Sequence, residues 1–593
     1  MDEKCETSHF LLTYNSIHSE IPCLRCPDKF PARMRPLRLQ GSPARKDMPK
    51  VTGNDLVAQA LKNEGVNTVF YLPGGPMSDV ARLCIEMQFK SIDVRHEQAA
   101  AMMAHAYSRL TGKPGICFAS SGPGTTNLLT GIGNSFLDAT PVVGLGGSSP
   151  MTQNSRGAFQ EMDQLSIFKP VCKWAERVTD ARRIPELIGK GIRMATQGQQ
   201  GPVYLDLPGD ILYIQVERDE VLFPRNLTQP SRPAGDPELI EEAVALLRHA
   251  KRPLILTGSG LLWSNASAAL RTFVDVTGIP FSTTPQGRGV IPEDHPLSFL
   301  GARSKAFREA DVVLIIGTRL NFIVGFGQPP RWAPEVKIIQ VDIYREELGR
   351  NRTIDVGIVG DARRVLEQLT EAACGVFSSP FDLPWIADLR RASHQNEEKA
   401  AALLNTDAVP IHPLRLCKEV RDFMDRDAIL AVDGHEILNY ARQSIPTYVP
   451  GHRINAGANG CMGVAVPYGL GAKVARPDKQ VVVLSGDGSF GMNGMEMDTA
   501  VRHNIPILVV VSNNGGWAGI GEMTGRDLGF TRYDKMAEAL GCHGEHVERP
   551  NEIRPSLERA RAAVDAGKPA VVNVVTDPRA RSQTVRFSNY QVT

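Results

Sequence analysis

Three doubly wound α/β domains, each built on a parallel sheet, are what this sequence predicts. From residue 51 onward, short apolar runs ending in Gly, Pro or Asp alternate with amphipathic helical segments. Two Pro-rich stretches, FPRNLTQPSRPAGDP and SSPFDLPW, interrupt that rhythm. The length of 593 residues exceeds what one core serves, at about 150 residues per domain. Strands followed by small-residue turns and helices place parallel strands side by side with helices on both faces.

Residues 1–47 contain the basic, Pro-bearing segment PARMRPLRLQGSPARKD and no sustained periodicity, and read as a disordered extension. Cys23 and Cys26 form a CxxC pair with Cys5 and His18 nearby, without the second spaced pair of a structural zinc site. Met48 directly precedes the first patterned segment, so a start there would lose no folded element. Residues 48–215 carry VNTVFYLPGG, GICFASSGPG, TPVVGLGGSS and GPVYLDLPGD; residues 235–375 carry PLILTGSG, ADVVLIIGT and VKIIQVDI. Residues 405–578 open on AILAVDG and continue through QVVVLSGDG, ILVVVSNNG and AVVNVVTD. The tail, 579–593, holds too few periodic apolar residues for another core element.

Hydrophobic residues make up 42% and charged residues 22%, with a formal net charge of +1, so no cationic surplus invites a nucleic acid. No run of about 18 apolar residues appears, and the polar start MDEKCETSHF lacks the order of a secretory signal. The expectation is a soluble cytoplasmic protein with no membrane partner. Its ten scattered cysteines read as free thiols of a reducing compartment.

Ligands of such sheets bind at the carboxyl ends of strands, so residues just after each apolar run carry the information. QVVVLS ends in Gly486, Asp487 and Gly488; ILVVVS ends in Asn513 and Asn514. Asp487 and Asn514 stand 27 positions apart, room for a helix between neighbouring parallel strands, so both oxygen-bearing side chains reach one sheet edge. Mg²⁺ prefers octahedral oxygen ligands and keeps phosphate oxygens among them, which suits one carboxylate, one amide and a main-chain carbonyl. The glycines let backbone amides close around an anion, and the helix following Ser489 points its positive end inward. The structural alternative is an Asp N-cap and an NNGG turn.

GDGSFGMNGMEMD followed by VVVSNNGGW resembles the thiamine-diphosphate (ThDP) motif of the acetolactate synthase, oxalyl-CoA decarboxylase and 2-hydroxyacyl-CoA lyase superfamily, and the resemblance runs from residue 51 to about 580. It implies the acetolactate synthase-like three-domain fold, with Asp487, Asn514 and the main chain at Gly516 holding Mg²⁺, and Gly486, Gly488 and Ser489 around the diphosphate. Gly434 and His435 would also contact the diphosphate. In GANGCMGV, Gly460 would meet the aminopyrimidine and Met462 would prop the cofactor, although a Met in apolar sequence is more often core packing. Glu97 of VRHEQAAAMMAHAY, in an apolar setting that favours a protonated carboxyl, takes the family's activating role; alone it would read as a helix-dipole partner. The family completes each site between two subunits, which implies a homodimer or homotetramer.

Asn127 of SSGPGTTNLLTG and Gln160 of AFQEMDQ would line the substrate side. Oxalyl-CoA decarboxylases have Tyr-Glu where this chain has Phe159 and Gln160, a departure that argues against that activity. FYLPGGPMSD, KWAERVTDARRIPEL, TTPQGRGVIPEDH and GTRLNF are most similar to bacterial 2-hydroxyacyl-CoA lyases. In the middle domain Asp342 and Asp361 end strands, where an acid binds an adenosine ribose or caps the next helix. Resemblance to the CoA-processing members favours ADP over FAD there, with Arg177 meeting its phosphates. The reading is a ThDP-dependent lyase that cleaves a 2-hydroxyacyl-CoA into formyl-CoA and an aldehyde or ketone, with condensation as the reverse. Acetolactate synthase large subunit, or oxalyl-CoA decarboxylase, is the alternative enzyme, and an inactive scaffold of the same fold the non-enzyme alternative.

Overall fold

The computed structural model describes residues 50–224, 231–377, 384–517 and 525–582. The extension of 1–47 with its CxxC pair, and the tail beyond Ser582, lie outside the described residues. Short β1 (Lys50–Thr52) pairs antiparallel with β8 (Gln215–Glu217), joining the two ends of the first domain. Between them β2 (Thr68–Leu72), β3 (Lys90–Asp93), β4 (Gly115–Ala119), β5 (Val142–Ser148), β6 (Trp174–Arg177) and β7 (Val203–Pro208) form a parallel sheet in the order β3-β2-β4-β5-β7-β6. The central domain orders β9 (Pro253–Thr257), β10 (Phe281–Thr283), β11 (Val312–Ile316), β12 (Lys337–Asp342) and β13 (Val356–Val359) as β10-β9-β11-β12-β13. The third contains β14 (Ile429–Asp433), β15 (Arg453–Ile454), β16 (Val481–Gly486), β17 (Leu508–Asn513), β18 (His543–Val547) and β19 (Ala570–Val575), ordered β15-β14-β16-β17-β19-β18.

The first and third sheets thus share one strand order, and all three sheets reverse direction beside their first-entered strand. Such reversals open a crevice at the strand carboxyl ends. They lie between β2 and β4, between β9 and β11, and between β14 and β16. Strands β4, β9, β11, β14 and β17 are buried along their whole length, because helices cover both faces, and their sequences are correspondingly apolar without alternation.

Helix Glu97–Thr111 explains the apolar run AAAMMA. Its Ala-rich sequence favours helix, the His96 side chain caps its start by accepting from Gln98 N, and Gly112 ends it in the left-handed region at φ 69°. Residues Ala99 to Leu110 are all buried, since the helix lies between the first sheet and helix Ala465–Ala475 of the third domain. The two helices approach so closely that a Cβ on Gly471 would sit 2.4 Å from the Met103 carbonyl oxygen. One apolar cluster therefore runs through both domains, from Met103 and Tyr107 to Tyr468 and Val483. Among the described residues no helix is long and apolar enough to cross a membrane, and the seven described cysteines are free thiols.

Candidate functional site

The crevice between β14 and β16 is lined by Gly434, His435, Met462, Gly486, Asp487, Gly488, Ser489, Asn514 and Gly516, nine residues singled out from sequence. β16 delivers Gly486 and β17 delivers Asn514 to the same edge because the two strands pair in parallel, with Gly486 opposite Ser512. The strand alternation separates the two asparagines. Asn513 is fully buried and donates to Thr531 O (2.9 Å) and Asn573 Oδ1 (3.1 Å), whereas Asn514 faces the crevice. Two helices intervene, Asp487–Asn493 and Glu496–Arg502, and Ser489 lies inside the first turn of the former rather than ahead of it, a correction to the boundary expected from sequence.

Burial pushes the Asp487 carboxyl up to about 6, against the backbone amides of Gly488, Gly515 and Gly516. The Ser489 hydroxyl is buried beside the Asp433 carboxyl. A Cβ on Gly488 would meet the Trp517 ring at 2.7 Å, and Gly434 holds φ 105°, a conformation that suits glycine. A buried hydroxyl, a carboxylate, an amide and glycine-bared backbone are a donor and acceptor set that could hold a diphosphate and a hard divalent cation. Among the described residues no group of three or more His, Cys, Asp or Glu side chains is placed to hold a metal ion, and a Mg²⁺-type site of mixed oxygens needs none. Gly460 lies just outside this lining, exposed in a turn at φ 65°.

Sequence reasoning missed Asp433 and Glu436. Asp433 is 3% exposed and accepts from Gly434 N (2.6 Å) and Ala465 N (3.2 Å), with burial pushing its pKa up. Glu436 lines the crevice, faces His435 Nδ1 at 3.3 Å and accepts from Ser582 N at 2.6 Å. Asn439 Nδ2 donates to the Ser582 hydroxyl at 3.1 Å, so the chain leaves the described fold at the rim of the crevice. The available signal was that acids flank the strand-end pair Gly434–His435 on both sides, as DGHE.

Glu97, Asn127 and Gln160 gather at the crevice of the first sheet. Asn127 Nδ2 donates to Glu97 Oε2 at 3.0 Å, and Ser121 Oγ donates to Gln160 Oε1 at 2.6 Å. Gly124 permits the approach, since a Cβ there would lie 2.2 Å from Ser120 Oγ and 3.2 Å from Glu97 Oε1. Glu97 is 7% exposed, Phe159 is 85% exposed, and none of Glu97, Asn127 and Gln160 lines the crevice of Asp487.

The central cleft, between β9 and β11, is lined by Asp342 and Asp361 together with Arg232 and Arg319. Gly258, Gly260 and Gly317 bare its floor: a Cβ on Gly260 would lie 2.6 Å from Gly317 Cα. Asp342 accepts from Tyr344 N at 2.9 Å, and burial pushes its pKa up to about 6. Asp361 caps helix Ala362–Ala373 and takes the Ser264 hydroxyl at 2.8 Å, so the capping alternative describes it. Arg177 is already paired. It lies outside this cleft, because β6 and β7 place it directly opposite Asp206, and the two form a cross-strand ion pair.

A second set of basic residues was not foreseen. Arg288, Arg303, Arg331, Arg442 and Arg453 come from five separate segments, and Arg288 pairs with Glu293, Nε to Oε1 at 2.6 Å. Among the described residues the other four make no ion pair. Arg303 Nε and Nη2 and Arg453 Nη2 are buried without hydrogen-bond partners. Arg303 is held down to about 9 and Arg331 to about 10, by burial and then by neighbouring arginines. Both guanidinium groups lie over the Phe307 ring, at 5.2 and 5.6 Å.

Three family models match the chain: the thiamine pyrophosphate enzyme N-terminal TPP binding domain over residues 51–167, its central domain over 240–369 and its C-terminal TPP binding domain over 437–574. The chain is 32% identical to human 2-hydroxyacyl-CoA lyase 1, covering 92% of this chain and 98% of that protein. It is 36% identical to the 2-hydroxyacyl-CoA lyase of Arabidopsis thaliana, covering 91% and 98%. It is also 36% identical to an acetolactate synthase large subunit of Mycobacterium tuberculosis, covering 88% and 95%.

Proposed function

Because this chain belongs to the thiamine pyrophosphate enzyme family, we propose that it is a ThDP-dependent lyase that cleaves a 2-hydroxyacyl-CoA into formyl-CoA and an aldehyde or ketone, reversibly as a condensation. ThDP supplies the electron sink for breaking a carbon–carbon bond beside a carbonyl. Asp487, Asn514 and the Gly516 main chain hold Mg²⁺, and Gly434, Gly488 and Ser489 take the diphosphate. Met462 and the Gly460 turn support the cofactor's other end. Glu97, oriented by Asn127, would hold a proton at its carboxyl toward the bound cofactor, while Gln160 would face the substrate.

The arginine set carries the choice of substrate. Helix Glu436–Ser444 begins at the diphosphate crevice and bears Arg442 six residues on, about 9 Å along its axis at 1.5 Å per residue. Unpaired, desolvated guanidinium groups are costly until an anion reaches them, and their forked donors suit phosphate. An elongated acyl-CoA can put its thioester end at the crevice and its phosphates among these arginines; pyruvate cannot reach both. Since Glu97 does not line the crevice of its own Asp487, the working unit is a homodimer or homotetramer that completes each site with a second copy. The central cleft takes ADP on Asp342 and the basic residues Arg232 and Arg319. The tail from Ser582, tethered by Glu436 and Asn439, covers the bound substrate and excludes water.

Mass spectrometry of products after separate incubation with pyruvate and with a panel of 2-hydroxyacyl-CoAs tests the reading. Formyl-CoA and an aldehyde are expected. Acetolactate from pyruvate, with the CoA thioesters intact, would replace the lyase by the synthase.

A further inference from the structure

We infer that Glu496 and Asn493 are positioning residues through which the third domain holds the turn bearing Glu97; the inference rests on reading Glu97 as the proton-handling carboxyl. The first amides of a helix have no partner within it. Just ahead of helix Glu97–Thr111, Arg95 N and His96 N both donate to Glu496 Oε1, at 3.0 and 3.1 Å, and Arg95 N also reaches Oε2 at 3.3 Å. Glu496 belongs to another domain, is 1% exposed, and is steadied by the Thr499 hydroxyl at 2.7 Å. On the far side of Glu97, Gln98 Nε2 donates to Asn493 Oδ1 at 2.9 Å. Asn493 Nδ2 in turn donates to Gly463 O at 2.7 Å, beside Met462. Gln98 is thus tied to the helix that opens with Asp487, and Arg95 and His96 to the helix Glu496–Arg502 that follows it.

Joining the two domains does not require a buried carboxylate. Arg95 with Asp498 (3.1 Å), His503 with Asp93 (2.7 Å) and Arg502 with Asp93 already bridge the same boundary at its rim. What Glu496 adds is direction: it fixes the backbone from which Glu97 projects, and neither it nor Asn493 lines the diphosphate crevice. A misplacement of about 1 Å costs a catalytic group on the order of a hundredfold.

The experiment compares wild type, E97Q, E496A, E496Q and the double variant E97Q/E496A, each loaded with ThDP and Mg²⁺, by the rate at which the C2 proton of ThDP exchanges with deuterium. A second readout needs no cofactor: amide deuteration of the 93–98 segment in the unloaded protein. E97Q is expected to slow C2 exchange roughly 10² to 10⁴-fold, and E496A roughly ten- to a hundredfold. E496Q restores most of the rate, because its carbonyl oxygen still accepts both amides, and E97Q/E496A is no slower than E97Q. Deuteration at Arg95 and His96 rises in E496A. Should E496A not fold, E496D takes its place, since it keeps the charge but falls short of both amides. E97Q slow with E496A at the wild-type rate overturns the positioning role alone. A full, multiplicative loss in the double variant likewise marks Glu496 as generally structural. E97Q at the wild-type rate overturns the reading of Glu97 itself.

Discussion

Raising the pH toward neutrality should loosen the first domain from the third at the Glu97 turn, and Glu496 sets the size of the effect. Burial pushes its carboxyl from 4.5 up to about 7, against the Thr499 hydroxyl, the Arg95 and His96 amides and the more distant Arg502. A carboxyl whose folded pKa is raised stabilises fully below its unfolded pKa and loses that contribution as pH rises through the folded value. The difference of about 2.5 pH units corresponds to about 3–4 kcal/mol, of which about 2–3 kcal/mol is lost between pH 5 and 7.5, with little change above. Asp93, Asp498 and His503 face the same boundary, so the comparison must cancel them. E496Q does so, being neutral throughout. Global unfolding of three domains is not two-state, so local opening is the quantity to read, from native-state hydrogen exchange of the Arg95 and His96 amides. Relative to wild type, protection in E496Q should grow roughly sixtyfold from pH 5 to 7.5. Profiles that stay parallel would refute the argument, because Glu496 would then titrate as it does in the unfolded chain.

Three other outcomes follow from the proposed site. Asp487→Ala should abolish Mg²⁺-dependent retention of ThDP, measured as cofactor content after dialysis, because the diphosphate loses its bridging cation; unchanged content would remove Asp487 from the metal site. Arg303→Ala should raise KM for a 2-hydroxyacyl-CoA by roughly ten- to a hundredfold, the loss expected for a charged hydrogen bond of about 1.5–3 kcal/mol. An unchanged KM would leave the arginines without a substrate role. Deleting residues 580–593 removes the Ser582 tether to Glu436 and should preserve ThDP binding while sharply lowering turnover of acyl-CoA; full activity in the truncated protein would rule out a covering role.

What was legible from sequence follows from where each residue finds its partner. Gly486, Asp487 and Asn514 could be placed together because β16, its helices and β17 form one local unit, and parallel pairing brings successive strand ends to one edge. The same reasoning placed Asp342 at the central cleft, and it set a capping alternative for Asp361 that the Ala362–Ala373 helix bears out. Glu97 needed the family resemblance, since nothing in VRHEQ distinguishes a buried carboxyl gripped by Asn127 from an ordinary first-turn acid.

Arg177 shows the limit within a domain. Its partner, Asp206, lies 29 positions on, and only the register of β6 against β7 sets the two opposite each other. That pairing engages its Nε, and Arg177 is not among the residues that line the central cleft. The arginine set shows the limit between domains. Each of its members is unremarkable in its own segment, and they become a site only where the central domain meets the helix carrying Arg442. Glu496 is the extreme case, since the amides it accepts lie about 400 positions away. Strand ends announce where a ligand binds because that geometry is local to a βαβ unit. The groups that aim the chemistry are set by packing between units, so substitutions there should alter rate and substrate choice while leaving the recognisable motifs intact.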